Sequence, residues 1–134
     1  MARLRRNQSR GFTLIELMIV ISVMLILISF AVPAYNQSVL RAKESVLRQN
    51  LFTLRSLISQ YTLDKQKAPQ SLDDLVQAGY LKQIPVDPMT TKNDTWTVDQ
   101  EDTVMSAEQQ ETGISDVHSG SSQISTDGTA YSTW

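Results

Sequence analysis

The longest apolar segment of the chain covers residues 12–32, close to its start. Four polar side chains interrupt it: Thr13, Glu16, Ser22 and Ser29. A helix of this segment is about 32 Å long, which is close to the hydrocarbon thickness of a bilayer. The pattern therefore predicts a transmembrane helix over residues 12–35.

A second helical pattern follows Pro33, a residue that removes one helical hydrogen bond and kinks a helix. Apolar residues recur in steps close to a heptad repeat: Leu40, Leu47, Leu51, Leu54, Ile58 and Tyr61. Three more apolar residues widen this stripe: Val46, Phe52 and Leu57. We expect an amphipathic helix over residues 36–64. Its later part should pack on the chain's own globular region, and its earlier part on other subunits.

A short helix is expected after a break at residues 65–69. Ser71 and Asp74 have the spacing of a capping box, and Gly79 fits a helix stop. The sequence therefore predicts a helix over residues 71–79.

The remaining sequence predicts a small sheet and loops. Residues 95–98 are typical of a short strand, and residues 112–117 of a weaker one. The tail, residues 119–134, is rich in Ser, Thr and Gly but ends in Tyr131 and Trp134, so we expect it to pack back on the helix. The predicted fold class is α+β, with a long amino-terminal helix packed against a small carboxy-terminal region.

Charge is unevenly distributed along the 134 residues, which carry 12 Lys+Arg and 14 Asp+Glu. Four arginines lie in the first ten positions: Arg3, Arg5, Arg6 and Arg10. Basic residues before the apolar segment and none directly after it place the amino terminus in the cytoplasm. The absence of cysteine excludes disulfides and thiolate chemistry, and a single histidine excludes the usual multi-histidine metal sites.

Three interpretations fit the amino-terminal segment. A plain membrane anchor accounts for its length and basic flank. A secretory signal peptide cleaved near residues 32–34 accounts for the flank, but its apolar region would be long and would begin with an acid. Cleavage after Gly11 is the third. It gives Glu16 a role, because the new α-amino group on Phe12 of a neighbouring chain could pair with its carboxylate. Otherwise Glu16 simply lies at headgroup depth.

The run GFTLIEL at residues 11–17 resembles the type IV prepilin signature, which pilins share with the pseudopilins of type II secretion. In that family a prepilin peptidase cuts after the glycine and methylates the new amino terminus. The resemblance therefore implies cleavage after Gly11, N-methylation of Phe12 and an assembly role for Glu16. It also implies the type IV pilin-like fold.

The middle of the chain is similar to the major pseudopilins of type II secretion. In both, a short helix leads to Gly-Tyr-Leu at residues 79–81 and then to a Pro-x-Asp-Pro turn at residues 85–88. Where that family often has Trp-Gly after the turn, this chain has Met89 and Thr90. The missing cysteine pair also favours a pseudopilin over a pilin.

This resemblance implies a structural subunit and not an enzyme. Such subunits leave the bacterial inner membrane and stack into a helical homo-oligomeric filament in the periplasm, which drives export of folded proteins. The implied partners are the prepilin peptidase, an inner-membrane assembly platform and minor pseudopilins. Two alternatives stay open: a type IV pilus subunit for adhesion, motility or DNA uptake, and a signal-anchored monomeric periplasmic binding module.

A basic line runs beside the apolar stripe, because Arg41, Arg48 and Arg55 recur every seven residues. It is interpreted as a solvated helix face or as a contact with the acidic carboxy-terminal half of a neighbouring subunit. Nucleic acid binding is disfavoured, since the mature chain is acidic and no interleaved aromatic residues could stack on bases.

The tail raises the question of a metal ion. Major pseudopilins bind calcium in their carboxy-terminal loop, and the resemblance carries Asp116 and Asp127 over as calcium ligands. This chain has one Asp where the family commonly has several. The alternative is a solvated turn with Asp127-Gly128 as its turn pair. His118 near Asp116 is interpreted as a loop residue, because sequence neighbours rarely form a catalytic triad.

Overall fold

The computed structural model describes residues 11–106 and 109–134. Helix α1 spans Leu14–Lys65, helix α2 spans Leu72–Gln77, and strands β1 (Thr97–Ser106) and β2 (Gln109–His118) form an antiparallel pair. A 3₁₀ turn at Tyr131–Thr133 is the last element along the chain that the structure describes. This arrangement confirms the predicted α+β, pilin-like class. The chain divides into two compact units. The first ends at Ser38, and the second comprises Val39–Trp134.

In the first unit, the large apolar side chains from Phe12 to Val32 are exposed, and those from Leu14 onward belong to α1. Within the described residues, α1 is the helix whose length and composition suit a membrane span. The serines in this segment bond within the helix, since the hydroxyl of Ser22 donates to Met18 O at 2.7 Å and that of Ser29 to Ile26 O at 2.6 Å. Such bonds reduce the cost of a hydroxyl in an apolar layer. The helix continues through Pro33.

The second unit has its core on the predicted stripe of α1. Five stripe residues are buried: Leu47, Leu51, Leu54, Ile58 and Tyr61. They pack in one cluster with residues from the other elements: Leu72, Leu75, Trp96, Ile114, Val117 and Tyr131. The predicted widening of the stripe is wrong for Val46 and Phe52, whose side chains are mostly exposed, whereas Leu57 packs against the cluster.

Helix α2 is shorter than predicted because a Schellman motif ends it. Gly79 has a φ of 85°, a conformation that favours glycine. Its N–H donates to Val76 O at 3.1 Å, and the N–H of Tyr80 donates to Leu75 O at 2.9 Å. These two bonds satisfy the last carbonyls of the helix. At the other end, the N–H of Ser71 donates to the Asp74 carboxylate at 3.2 Å, as a capping box requires.

The Pro-x-Asp-Pro turn is organised by a buried carboxylate. Asp87 is fully buried, and its oxygens accept bonds from the Ser119 hydroxyl at 2.6 Å and from the Met89 N–H at 2.9 Å. The indole of Trp96 donates to Pro85 O at 2.8 Å. The turn is thereby tied to the segment that follows β2 and to the core.

The sheet is a hairpin longer than the sequence predicts. Strand pairing aligns Thr97 with His118 and extends to Ser106 and Gln109, with a register shift after Asp99. The polar stretch at residues 99–110, for which no element was predicted, thus supplies much of the described hairpin. The paired backbone groups of this stretch bond to one another in the ladder, which does not require apolar side chains.

Candidate functional site

The predicted processing site lies at the start of α1. Thr13 caps the helix, since its Oγ1 accepts a hydrogen bond from the N–H of Glu16 at 3.2 Å. Gly11 and Phe12 precede the helix, and the Phe12 side chain is exposed. The Gly11–Phe12 peptide bond therefore lies outside the helical hydrogen bonds, where a peptidase can bind an extended chain.

Glu16 occupies the third position of α1, where its negative charge complements the helix dipole. Thr13 and Glu16 together have the Thr-x-x-Glu form of a capping box, a signal that the sequence analysis missed. The carboxylate is exposed in the single chain, four residues after Phe12. This position leaves it available to a second subunit.

A second group of functional side chains holds the tail on α1, and it begins with Glu44. This carboxylate is buried and accepts three bonds: from the Thr126 N–H at 2.8 Å, the Thr126 hydroxyl at 2.7 Å and the Tyr131 hydroxyl at 2.8 Å. Burial alone would raise the pKa of Glu44, but the bonds from Thr126 and Tyr131 outweigh burial and keep this pKa below its usual value. Burial and the Glu44 bond raise the pKa of Tyr131 to about 12.

Arg48 lies one turn after Glu44 and contacts two tail residues. Its guanidinium lies 3.3 Å from the Asp127 carboxylate and 4.3 Å above the centre of the Trp134 ring. The Trp134 indole in turn donates to the Thr129 hydroxyl at 2.7 Å. Bonds from Ser125 and Thr129, together with the Arg48 charge, hold the pKa of Asp127 down at about 2.

Arg55 lies two turns further along α1 and joins the tail to strand β2. Its Nε donates to Asp116 Oδ1 at 2.6 Å, and its Nη2 donates to Val117 O at 3.0 Å and to Trp134 O at 2.6 Å. Arg48 and Arg55 therefore contact the chain's own acidic half. Arg41 and Arg48 are nevertheless exposed, as a solvated helix face requires, whereas Arg55 is only partly exposed and does not fit that interpretation. Sequence reasoning missed these partners, although the heptad spacing of the arginines was visible.

Comparison with known proteins places the chain in a family. Residues 6–32 match the model of the prokaryotic N-terminal methylation motif. The type II secretion system core protein G of Klebsiella michiganensis is 33% identical in an alignment of length 101 that covers 63% of this chain and 71% of that protein. The core protein G of Pseudomonas aeruginosa gives the same identity and coverage. The chain belongs to the type II secretion system core protein G family.

Other matches agree with this family in part. The Escherichia coli core protein G is 31% identical in an alignment of length 98 that covers 61% of this chain and 68% of that protein. The type IV major fimbrial protein FimA of Dichelobacter nodosus is 35% identical over 65 residues, but these are only 48% of this chain and 41% of that protein. No solved structure matches the chain significantly. Core protein G relatives thus share more of the chain than the fimbrial protein does.

Membership of the core protein G family gives the amino-terminal residues a context. The match to the methylation motif includes Gly11, Phe12 and Glu16. Their individual roles in cleavage, methylation and assembly stay predictions. The long apolar helix and the core protein G relatives together fit a membrane-anchored subunit.

The two aspartates predicted to bind calcium are each paired with an arginine of α1. Asp116 accepts a hydrogen bond from Arg55, and Asp127 accepts one from Arg48. Among the described residues, a different trio could hold a metal ion, since ligand atoms of Asp99, Asp116 and His118 lie within 4.8 Å of one another. Burial would raise the pKa of Asp116, but bonds from the Val117 N–H and Arg55 keep it below its usual value. Calcium binding by Asp116 and Asp127 stays a prediction.

His118 also has a structural environment. Its Nδ1 lies 2.6 Å from Trp134 O, and its Nε2 lies 3.1 Å from the Asp99 carboxylate. The ring thereby links the two strand ends to the end of the tail. His118 is the last residue of strand β2, so its interpretation as a loop residue is wrong.

Proposed function

We propose that this protein is the major pseudopilin of a type II secretion system. It is a structural subunit that assembles from the inner membrane into a pseudopilus and so drives export of folded proteins across the outer membrane. The 71% coverage of core protein G at 33% identity carries this proposal. The exposed apolar segment of α1 supports it, because a side-chain surface of that size needs lipid or other subunits around it.

The amino terminus supplies processing and register in this proposal. The prepilin peptidase cuts after Gly11 and methylates the amino group of Phe12. In the filament, that ammonium pairs with Glu16 of a neighbouring subunit, which offsets the cost of a carboxylate in an apolar layer. The exposed positions of Phe12 and Glu16 at the start of α1 support this pairing.

The chain has one membrane pass in this proposal, with its amino terminus in the cytoplasm and residues 36–134 in the periplasm. The basic leader supports that orientation. Its work is mechanical and not enzymatic, so a cytoplasmic ATPase would supply energy for extraction. The assembly platform and the minor pseudopilins complete the partners.

Processing is tested with Gly11→Trp, which introduces bulk beside the bond to be cut. We expect the precursor to stay uncut, with Met1 or Ala2 as its first residue in mass spectra of the membrane-extracted protein. Ser9→Trp adds the same bulk two residues earlier and should be cut normally. Gly11→Trp protein that still begins at methylated Phe12 would refute the cleavage site.

The assembly role is tested with Glu16→Ala in cells that depend on this gene for secretion. The variant should insert into the membrane at least as well as the wild type, because a carboxylate has been removed from the apolar segment. Filaments and secretion should be lost. Glu101→Ala removes an exposed carboxylate from the second unit and serves as the control. Normal secretion from Glu16→Ala cells would contradict the pairing.

A second candidate function is a type IV pilus subunit, which the match to the fimbrial protein favours over about half of the chain. Immunogold labelling of intact cells separates the two functions. Long labelled surface filaments at native expression would indicate a pilus. Loss of an exported protein on deletion, without such filaments, would indicate a pseudopilus.

A further inference from the structure

The resemblance to major pseudopilins implies a calcium ion in the tail, so the residues present there can be compared with what calcium requires. Calcium takes six to eight oxygens that converge on one point. In this chain Asp127 of the tail is paired with Arg48, and Asp116 of strand β2 is paired with Arg55. These arginines are seven residues apart, or roughly 10 Å along the helix. The two carboxylates are therefore held by different arginines and do not converge on one point, as calcium ligands must.

The oxygens of Asp127 are also occupied by donors. Its Oδ1 accepts bonds from the Ser125 hydroxyl, from the Thr129 N–H at 3.1 Å and from the Thr129 hydroxyl at 2.6 Å, and its Oδ2 faces Arg48. Several main-chain oxygens of the tail also accept bonds, including those of Gln123, Ser125 and Thr129. Hydrogens and a guanidinium surround this carboxylate where a cation would have to bind. The described tail therefore does not fit a calcium site.

What the tail does have is a complementary set of charges on α1. Glu44, Arg48 and Arg55 lie within about 40° of one another around the helix, at 3.6 residues per turn. The tail offers hydroxyl and amide donors to Glu44 through Thr126 and Tyr131. It offers a carboxylate and a main-chain oxygen to the two arginines. Each of these three charges thus has the opposite kind of group facing it.

We propose that these three side chains of α1, here named the tail clamp (Glu44, Arg48 and Arg55), close the tail without a metal ion. Glu44 is the central member, because it is buried and all three of its bonds reach residues more than 80 positions later in the chain. A carboxylate removed from water needs such donors, and the tail needs such an acceptor to order Thr126 and Tyr131. This inference does not depend on the proposed function.

The test uses the full chain in detergent micelles, with thermal unfolding followed by tryptophan fluorescence. The wild type should melt at the same temperature in chelator, in millimolar calcium and in millimolar magnesium. Glu44→Gln keeps the shape of the side chain but directs an amide towards donors. It should lower the melting temperature by about 5 °C or more, equally in all three solutions. Glu101→Gln, at an exposed position of β1, should leave it unchanged.

Tyr131→Phe provides a milder variant should Glu44→Gln fail to fold. It removes one hydroxyl and should lower the melting temperature by a few degrees. Combined with Glu44→Gln, where that variant folds, it should add less than its single effect, because the two groups share one bond. Calorimetric titration of the wild type with calcium should show no saturable site that Asp127→Asn abolishes.

Two results would overturn the proposal. One is a calcium-specific rise in the melting temperature that Asp127→Asn abolishes, because it would show that the tail is closed by the metal. The other is a Tyr131→Phe protein that melts with the wild type in chelator, because the tail would then be held by something other than its bond to Glu44.

Discussion

The two units of the chain treat apolar side chains in opposite ways, although α1 runs through both. In the first unit, Leu25 and its neighbours are exposed on all sides of the helix. In the second, Leu47 and Leu54 are fully buried on one face, and polar bonds hold the remainder of the chain over them. Hydrophobicity alone therefore does not make a core. The apolar surface of the first unit needs lipid or other subunits around it. The apolar face of the second unit is covered by the chain's own later residues.

Core truncation should give the largest difference between the units. Leu54→Ala should lower the free energy of unfolding of the second unit by about 2–5 kcal/mol, because it leaves a cavity among fully packed side chains. Leu25→Ala removes the same atoms from an exposed position and should change it by less than about 0.5 kcal/mol. Thermal unfolding of both variants in micelles measures this. Equal losses would show that the first unit is packed inside the single chain after all.

The second-largest effect should come from acid, which lowers the free energy of unfolding of the second unit. Glu44, Asp116 and Asp127 have folded pKa values below their usual ones, so each contributes stability above its unfolded pKa and loses it as pH falls through the folded value. Stability should therefore decline from about pH 4.5 down to about pH 2. Tyr131, Thr126 and Asp127 are the groups around Glu44.

Unfolding of Glu44→Gln across the same pH range isolates its share of this loss. The difference in unfolding free energy between the variant and the wild type should shrink as the pH falls, because protonation removes the Glu44 charge from the wild type, whereas the variant never carries it. A difference that stays constant from pH 7 to pH 2 would mean that the Glu44 charge contributes nothing.

The smallest effect concerns the end of α2. Gly79→Ala places a Cβ on a residue with φ of 85°, which should lower the free energy of unfolding by about 1 kcal/mol. Ala78→Gly, one residue earlier in a right-handed helical conformation, is the comparison and should cost less. Denaturant unfolding resolves the two. A stabilising Gly79→Ala would mean that the Schellman motif does not form.

Local patterns predicted much of this protein. The apolar segment at residues 12–32, the stripe on α1 and the aromatic end of the tail each report a face or a length that any neighbouring structure must accommodate. For that reason the long helix, the α+β class and the packing of Tyr131 on the helix are confirmed. The run at residues 11–17 indicated the family in the same local way.

The tertiary structure alone decided which partners the charged residues have. Arg48 and Asp127 are 79 positions apart, and Glu44 and Thr126 are 82 apart, so no periodicity joins them. The burial of Asp87 and the length of the hairpin likewise depend on strand pairing and on Ser119, beyond any local signal. A repeat can show that arginines share one face of a helix. Which residues lie opposite that face depends on the path of the rest of the chain, because contacts between residues about 80 positions apart are set by the packing of the whole unit.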